Sequence, residues 1–215
     1  MAKPTTVTLV LLSAAPTAWD EAGRLIGRSD LPATDAGADA LHQKVKATVG
    51  TLPAPLDLVL CGPEDSTHAS GALLAEAAGC RLRKVDDLAN VDLGLWEGSL
   101  REELEGRCPS TFKAWRDQPD RIRPPEGESI GDAGLRAMAA LRKAMEKMKG
   151  ERPVVGLAVR PLLWAALLTL LNEEPWSAYW PLADSAGEIR TLPRPIADLN
   201  PEAMPASACR KPVPP

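Results

Sequence analysis

The sequence predicts an α/β protein of three layers, in which a mostly parallel sheet is flanked by helices on both faces. Two observations lead to this fold class. Short apolar runs alternate along the chain with longer segments of helical spacing, an order that is typical of βαβ units. Most of the predicted strands are continuously apolar, which indicates strands that helices cover on both faces.

The predicted elements alternate between strand and helix along most of the chain. Gly79 and Gly150 are suited to end two of the helices, and Pro161 is suited to the first turn of another. In chain order, we predict a strand at 7–12, a helix at 35–52, a strand at 56–61, a helix at 66–78, a strand at 80–85, a helix at 130–149, a strand at 153–159, a helix at 161–171 and a strand at 188–192.

The chain is organised as one domain over residues 1–192, followed by a proline-rich tail over 193–215. Within the domain, residues 86–129 show little regular periodicity, and we predict a lid or insertion there because long irregular segments are commonly functional. Parallel sheets bind ligands where strands end and lead into helices. The segments after Leu12, Leu60 and Ala158 are therefore the expected site.

Composition excludes several classes of function. The net charge is -4 and the basic residues are scattered, which argues against nucleic acid as a partner. No apolar run reaches the roughly 18 residues of a membrane helix, so we predict no membrane partner. The four cysteines are widely and irregularly spaced, which favours reduced thiols in a cytoplasmic protein over a disulfide framework. We predict no metal and no cofactor.

Four fragments of the sequence resemble the histidine phosphatase superfamily, whose fold is phosphoglycerate mutase-like. Residues 17–20 and 23–37 are similar to the family's T-x-W-N and GR-x-QG-x-x-D-x-PLT-x-x-G patterns. Residues 92–98 resemble its D-F-G-x-W-E-G stretch, and residues 124–129 resemble its P-x-GES turn. The fragments are collinear, and the resemblance extends over roughly residues 5–192. It implies that fold for this chain.

The resemblance also implies which positions would carry chemistry. The family transfers phosphoryl groups with a histidine nucleophile, a second histidine, two arginines and a carboxylic acid. Imidazole is a competent nucleophile near neutral pH, guanidinium groups stabilise phosphate charge, and the acid protonates the leaving group. In this chain the first arginine, the nucleophile, the second arginine, the acid and the second histidine fall on Ser13, Ala14, Ser66, Asn90 and Val159.

All five positions carry side chains that cannot perform these roles, so we predict a catalytically inactive protein with a binding, scaffolding or regulatory role. Its partner would be a protein, or a small ligand in the remodelled pocket, and a homodimer stays an open alternative. The candidate ligand-binding residues are Arg28, Ser13, Ser66, His68 and Arg160.

The alternative is a residual or altered phosphatase or hydrolase activity in the remodelled pocket. Ser13, Ser66, Cys61 and Asp65 are nucleophile types at the expected edge, and His68 or Asp65 would have to act as the base. For Cys61, a small buried side chain is the simpler interpretation. The aromatic residues of 96–115 and 176–180 could bind a partner, although core or lid packing is the more ordinary role.

Overall fold

The fold was determined as a computed structural model that describes residues 4–148, 150 and 152–201. Its five strands are β1 (Thr6–Ser13), β2 (Leu58–Cys61), β3 (Arg81–Lys84), β4 (Val154–Val159) and β5 (Ile189–Pro195). Its α-helices are α1 (Ala18–Glu21), α2 (Asp35–Val49), α3 (Asp65–Ala78), α4 (Arg101–Arg107), α5 (Pro109–Asp117), α6 (Ile130–Met145), α7 (Pro161–Leu171) and α8 (Tyr179–Asp184).

The strands form one sheet in the order β3-β2-β4-β1-β5. Neighbouring strands are parallel except β5, which runs antiparallel to β1. One face of the sheet is covered by α2 and α3, and the other by α6 and α7 with α5 and α8 beyond them. The predicted three-layer α/β architecture is therefore confirmed.

The central strands β1, β2 and β4 are apolar because helices cover both of their faces. Val10 and Leu12 lie in the core under α2 and α3, whereas Leu9 and Leu11 lie in the core under α6 and α7. The helix α7 is buried over nearly its whole length, from Leu162 to Leu171. Its uniformly apolar sequence reflects this position, since neither side of the helix faces water.

Several boundaries differ from the sequence-based expectation. The helix α2 ends at Val49, short of the predicted 52, and β2 begins at Leu58 instead of 56. The helix α6 ends at Met145, short of the predicted 149. The strand β5 continues to Pro195, past the predicted end at 192, and a 3₁₀ helix at Ile196–Leu199 follows with Leu199 buried. Prolines are compatible with this strand because it is at the sheet edge, where backbone N–H groups need no partner. The rest of the predicted tail, 202–215, lies outside the described residues.

The segment 86–129 has more regular structure than its sequence pattern indicated. It contains 3₁₀ helices at Asp86–Leu88 and Gly94–Trp96, followed by α4 and α5. These elements have three to nine residues each, too few for a periodic pattern to stand out. A lid function for this segment stays a prediction.

Candidate functional site

Two of the five positions that the resemblance pointed to meet where β1 and β4 end. Ser13 and Val159 are register partners across the parallel pair, and the Ala14 N–H donates to the Val159 carbonyl oxygen at 2.8 Å. All three residues are buried. The positions expected for the nucleophile and the second histidine are therefore neighbours in the fold, although they are far apart in the sequence.

Ser66 is joined to these positions through the first turns of α3. The Ser70 hydroxyl accepts a hydrogen bond from the Ala15 N–H at 2.9 Å and donates to the Ser66 carbonyl oxygen at 2.6 Å. The end of β1 and the start of α3 are thus tied together by one buried side chain. We call Ser13, Ala14, Ser66 and Val159 the floor of the site.

Arg160, the residue after Val159, extends across this floor. Its side chain is 2% exposed. One terminal nitrogen, Nη2, donates to both carboxylate oxygens of Asp20 at 2.9 and 2.8 Å, and Nη1 donates to the Ser66 hydroxyl at 3.3 Å. Charge-assisted hydrogen bonds of this kind are among the strongest in proteins. The guanidinium group thus occupies the space between α1 and α3.

Asp20 is the partner that the sequence analysis missed. It is the third residue of α1, where its carboxylate also accepts hydrogen bonds from the backbone N–H and the hydroxyl of Thr17 at 2.6 and 2.8 Å. This reciprocal arrangement is a capping box. The spacing from Thr17 to Asp20 predicts such a cap, but the ion pair with a residue 140 positions away leaves no local signal.

Asn90 is anchored beside the floor by backbone groups. Its side-chain nitrogen donates to the carbonyl oxygens of Ile26 and Gly27 at 2.9 and 3.0 Å. Its own N–H donates at 2.6 Å to Glu64, a buried carboxylate that also accepts the Thr67 hydroxyl at 3.1 Å. Glu64 was not predicted from the sequence, and its place just before α3 is the only signal for it.

Three buried polar atoms around the floor have no hydrogen-bond partner among the described residues. They are Ser13 Oγ, Asn90 Oδ1 and Arg160 Nε. Buried polar atoms are normally paired. The region around the floor therefore contains three of the five buried side-chain atoms without a hydrogen-bond partner in the described part of the chain.

Two of the candidate ligand-binding residues are not brought to the floor. Arg28 is ion-paired with Asp92 at 3.5 Å and with Glu128 at 3.1 Å, so its charge is already compensated. His68 is exposed on α3, and no side-chain hydrogen bond joins it to Ser66 in the part of the chain that the structure describes. The structure brings together Ser13, Ser66 and Arg160 and leaves the other two outside.

The remaining nucleophile candidates are poorly placed for catalysis. Cys61 is fully buried, and this burial raises the pKa of its thiol to about 11 even though the positive charge of Lys84 acts in the opposite direction. A thiol with this pKa is protonated at neutral pH and is a weak nucleophile. Asp65 is exposed, and its backbone N–H donates to Asp30 at 2.6 Å.

The aromatic stretch belongs mainly to the core. Trp96, Phe112 and Trp115 are buried and pack edge-on or tilted against one another. Tyr179 is also buried, and Trp180 packs on Trp115 with ring centroids 4.6 Å apart. Core packing is thus the role of most of these rings. Among the described residues, the large hydrophobic side chain that is exposed is Leu95, at 62%.

Within the described part of the chain, no helix is long and apolar enough to cross a membrane. No group of three or more His, Cys, Asp or Glu residues is arranged to hold a metal ion in that part of the chain either.

Comparisons with known proteins agree with the architecture. A model of the histidine phosphatase superfamily (branch 1) matches residues 9–192. Phosphoserine phosphatase 1 of Hydrogenobacter thermophilus is 26% identical over 80% of this chain and 81% of its own. A probable phosphoglycerate mutase of Klebsiella pneumoniae is 29% identical over 85% of this chain and 93% of its own.

Solved structures show the same fold. A mycobacterial glucosyl-3-phosphoglycerate phosphatase superposes with a TM-score of 0.68 at 22% identity, over 81% of this chain and 85% of its own. The YhfR protein of Bacillus stearothermophilus superposes with a TM-score of 0.69 at 19% identity, over 81% of this chain and 84% of its own.

Proposed function

This chain belongs to branch 1 of the histidine phosphatase superfamily, and we propose that it is a member without phosphoryl-transfer activity that has kept the fold for a binding, scaffolding or regulatory role. The observation that carries the proposal is the guanidinium of Arg160, which is buried against Asp20 and Ser66. Its partner Ser66 is a floor residue, as is Ala14, the position of the family's nucleophile.

Two independent features of the floor support the absence of phosphoryl-transfer activity. First, the methyl group of Ala14 has no lone pair with which to attack phosphorus. Second, both terminal nitrogens of Arg160 already donate to protein groups, Nη2 to Asp20 and Nη1 to Ser66, so the cation is used within the protein. Separating the buried guanidinium from its carboxylate partner would cost about 3 to 5 kcal/mol.

The alternative, a residual or altered hydrolase, finds less support. A serine nucleophile requires an adjacent base. Ser13 Oγ has no hydrogen-bond partner among the described residues, and the hydrogen bond to Ser66 Oγ comes from a cation, Arg160. In this structure, neither serine therefore has a base that could activate its hydroxyl as a nucleophile.

Because the Arg160 cation is already bonded to Asp20 and Ser66, we propose that the binding role uses a surface outside the floor. Leu95, which is 62% exposed in the 3₁₀ helix before Glu97, is the candidate contact for a protein partner. A homodimer that uses the same surface is one form this partner can take.

The test is a phosphatase assay with an aryl phosphate on three purified proteins. These are the natural chain, a five-position variant and a seven-position variant. The five-position variant carries Ser13→Arg, Ala14→His, Ser66→Arg, Asn90→Glu and Val159→His. The seven-position variant adds Asp20→Asn and Arg160→Gly, the residue types at these positions in the family's W-N and S-H-G-G motifs.

We expect turnover from the seven-position variant alone. In the five-position variant the new arginine at 66 would lie beside the Arg160 guanidinium, since Nη1 is 3.3 Å from Ser66 Oγ, and two adjacent cations repel. Circular dichroism and incorporation of radioactive phosphate into the protein separate loss of folding from loss of chemistry. Turnover by the natural chain that disappears on Ser66→Ala or His68→Ala would refute the proposal.

A further inference from the structure

A second cavity lies between the edge strand β3 and the helix α6, away from the floor. Its volume is about 230 Å³, and four basic residues line it: Arg83, Lys84, Lys143 and Lys147. Asp87 is the single acidic residue in the lining. The lining therefore has an excess of three positive charges, whereas the whole chain has a net charge of -4.

The cavity exists because its other lining residues are small. Ala140 and Ala144 lie one turn apart on α6, and Val85 follows the end of β3. Lys143 is in the last turn of α6, Lys147 is in the turn just after it, and both line this cavity. The cavity thus has a short apolar base and is surrounded by basic side chains.

The four cations form no ion pair with a carboxylate in the described part of the chain. The ion pairs there involve arginines, two of them on α6, and none includes Arg83, Lys84, Lys143 or Lys147. By contrast, Arg136 on the same helix α6 is paired with Glu128 at 2.7 Å. The positive potential of the cavity is therefore available to a ligand.

Two ordinary roles explain part of this cluster but not its arrangement. Cations near the carboxyl end of a helix are stabilised by the helix dipole, which explains Lys143 and Lys147. Basic residues on an edge strand prevent sheets from pairing edge to edge, which explains Arg83. Neither role requires the basic residues of β3 and those near the end of α6 to line the same cavity.

We propose that this cavity binds a small, diffusible polyanion that carries phosphate groups or several carboxylates. The guanidinium fork of Arg83 suits either group, and the lysines add charge without imposing geometry. A volume of about 230 Å³ is sufficient for a compact anion.

The cavity is distinct from the floor but close to the segment that carries Asn90. Asp87 lines the cavity, and the carbonyl oxygens of Asp87, Ala89 and Asn90 all accept hydrogen bonds from Arg136 at 2.7 to 3.2 Å. A bound anion would contact the outer side of this segment. Its binding requires no activity at the floor, so the test below is independent of the proposed function.

The test is isothermal titration calorimetry at low ionic strength. The natural protein is titrated with inorganic pyrophosphate and, in a separate experiment, with citrate. We expect saturable binding with one site per chain. Arg83→Glu and Lys143→Glu should each weaken binding at least tenfold. The effect of each substitution should be larger at low salt than at high salt, because salt screens the attraction between the cavity and the anion. The preferred probe tells whether phosphate or carboxylate is the recognised group.

Lys113→Glu is the matched control. Lys113 is exposed on α5 and lines no part of this cavity, so this variant changes the net charge equally and should bind as the natural protein does. Equal weakening by Lys113→Glu would show that only overall charge matters and would overturn the proposal. Absence of saturable binding by either probe would overturn it as well.

Discussion

The floor of the site and the loop frame around it differ in how their side chains are used. We define the loop frame as Arg24, Gly27, Gly94, Glu97 and Glu128. In this frame nearly every polar side chain holds a loop: Glu97 accepts the N–H groups of Gly27 and Ser29 at 3.2 and 2.5 Å. On the floor, Ser13 Oγ is buried without a partner.

The frame continues at the turn that precedes α6. Glu128 accepts the Asp92 N–H at 3.0 Å and the Arg136 guanidinium at 2.7 Å, and Arg24 donates to the Gly98 carbonyl oxygen at 2.6 Å. Among the five positions that the resemblance pointed to, Asn90 also contributes, since its side chain donates to the carbonyl oxygens of Ile26 and Gly27. The bonds of Glu97, Glu128 and Arg24 do not involve the floor residues, so the loops are held mainly from outside the floor.

The largest effect is expected from breaking the ion pair that closes the floor. Asp20→Ala should lower the free energy of unfolding by about 4 kcal/mol, because it leaves the buried Arg160 charge unpaired and removes the Thr17 cap. In an Arg160→Met background the same change should cost only about 1 kcal/mol, the value of the cap. Urea unfolding of the four proteins measures the coupling; equal losses in both backgrounds would contradict this account.

A smaller effect is expected from disturbing the frame at Gly94. Its φ is +50°, and a Cβ there would overlap the carbonyl oxygen of Pro125. Gly94→Ala should therefore cost about 3 kcal/mol, from left-handed strain and steric overlap together. Gly23, with φ +69° and open space around it, is the control: Gly23→Ala should cost about 1 kcal/mol from strain alone. Thermal and urea denaturation compare the two, and similar costs would show that the overlap relaxes freely.

The smallest effect is expected on the floor itself. Ser13→Ala removes a buried hydroxyl that makes no hydrogen bond in the protein, so stability should stay within about 0.5 kcal/mol of the natural value or rise. Ser70→Ala is the matched change, since its hydroxyl makes two buried bonds, and it should cost about 1 to 2 kcal/mol. A large loss on Ser13→Ala, measured by urea unfolding, would reveal a hidden partner for that hydroxyl.

Much of the fold could be predicted from the sequence because its signals are local. The buried strands β1, β2 and β4 are short apolar runs, and the helix α7 begins and ends at the predicted residues. The family resemblance also pointed to the floor: Ser13 and Ala14 lie just before a matching fragment, whereas Ser66 and Val159 lie outside all four of them. Boundaries were less accurate where tertiary pairing overrode local pattern, as when β1 extends β5 to Pro195.

The sequence by itself determined which chemical groups the floor lacks, because the absence of histidine before His42 does not depend on how the chain folds. Only the tertiary structure decided which side chains meet there. The pairing of Arg160 with Asp20 and the convergence of Arg83 with Lys143 join residues on separate elements. Electrostatic attraction acts through space and leaves no periodic trace along the chain, so such contacts follow from the packing of the sheet and its helices.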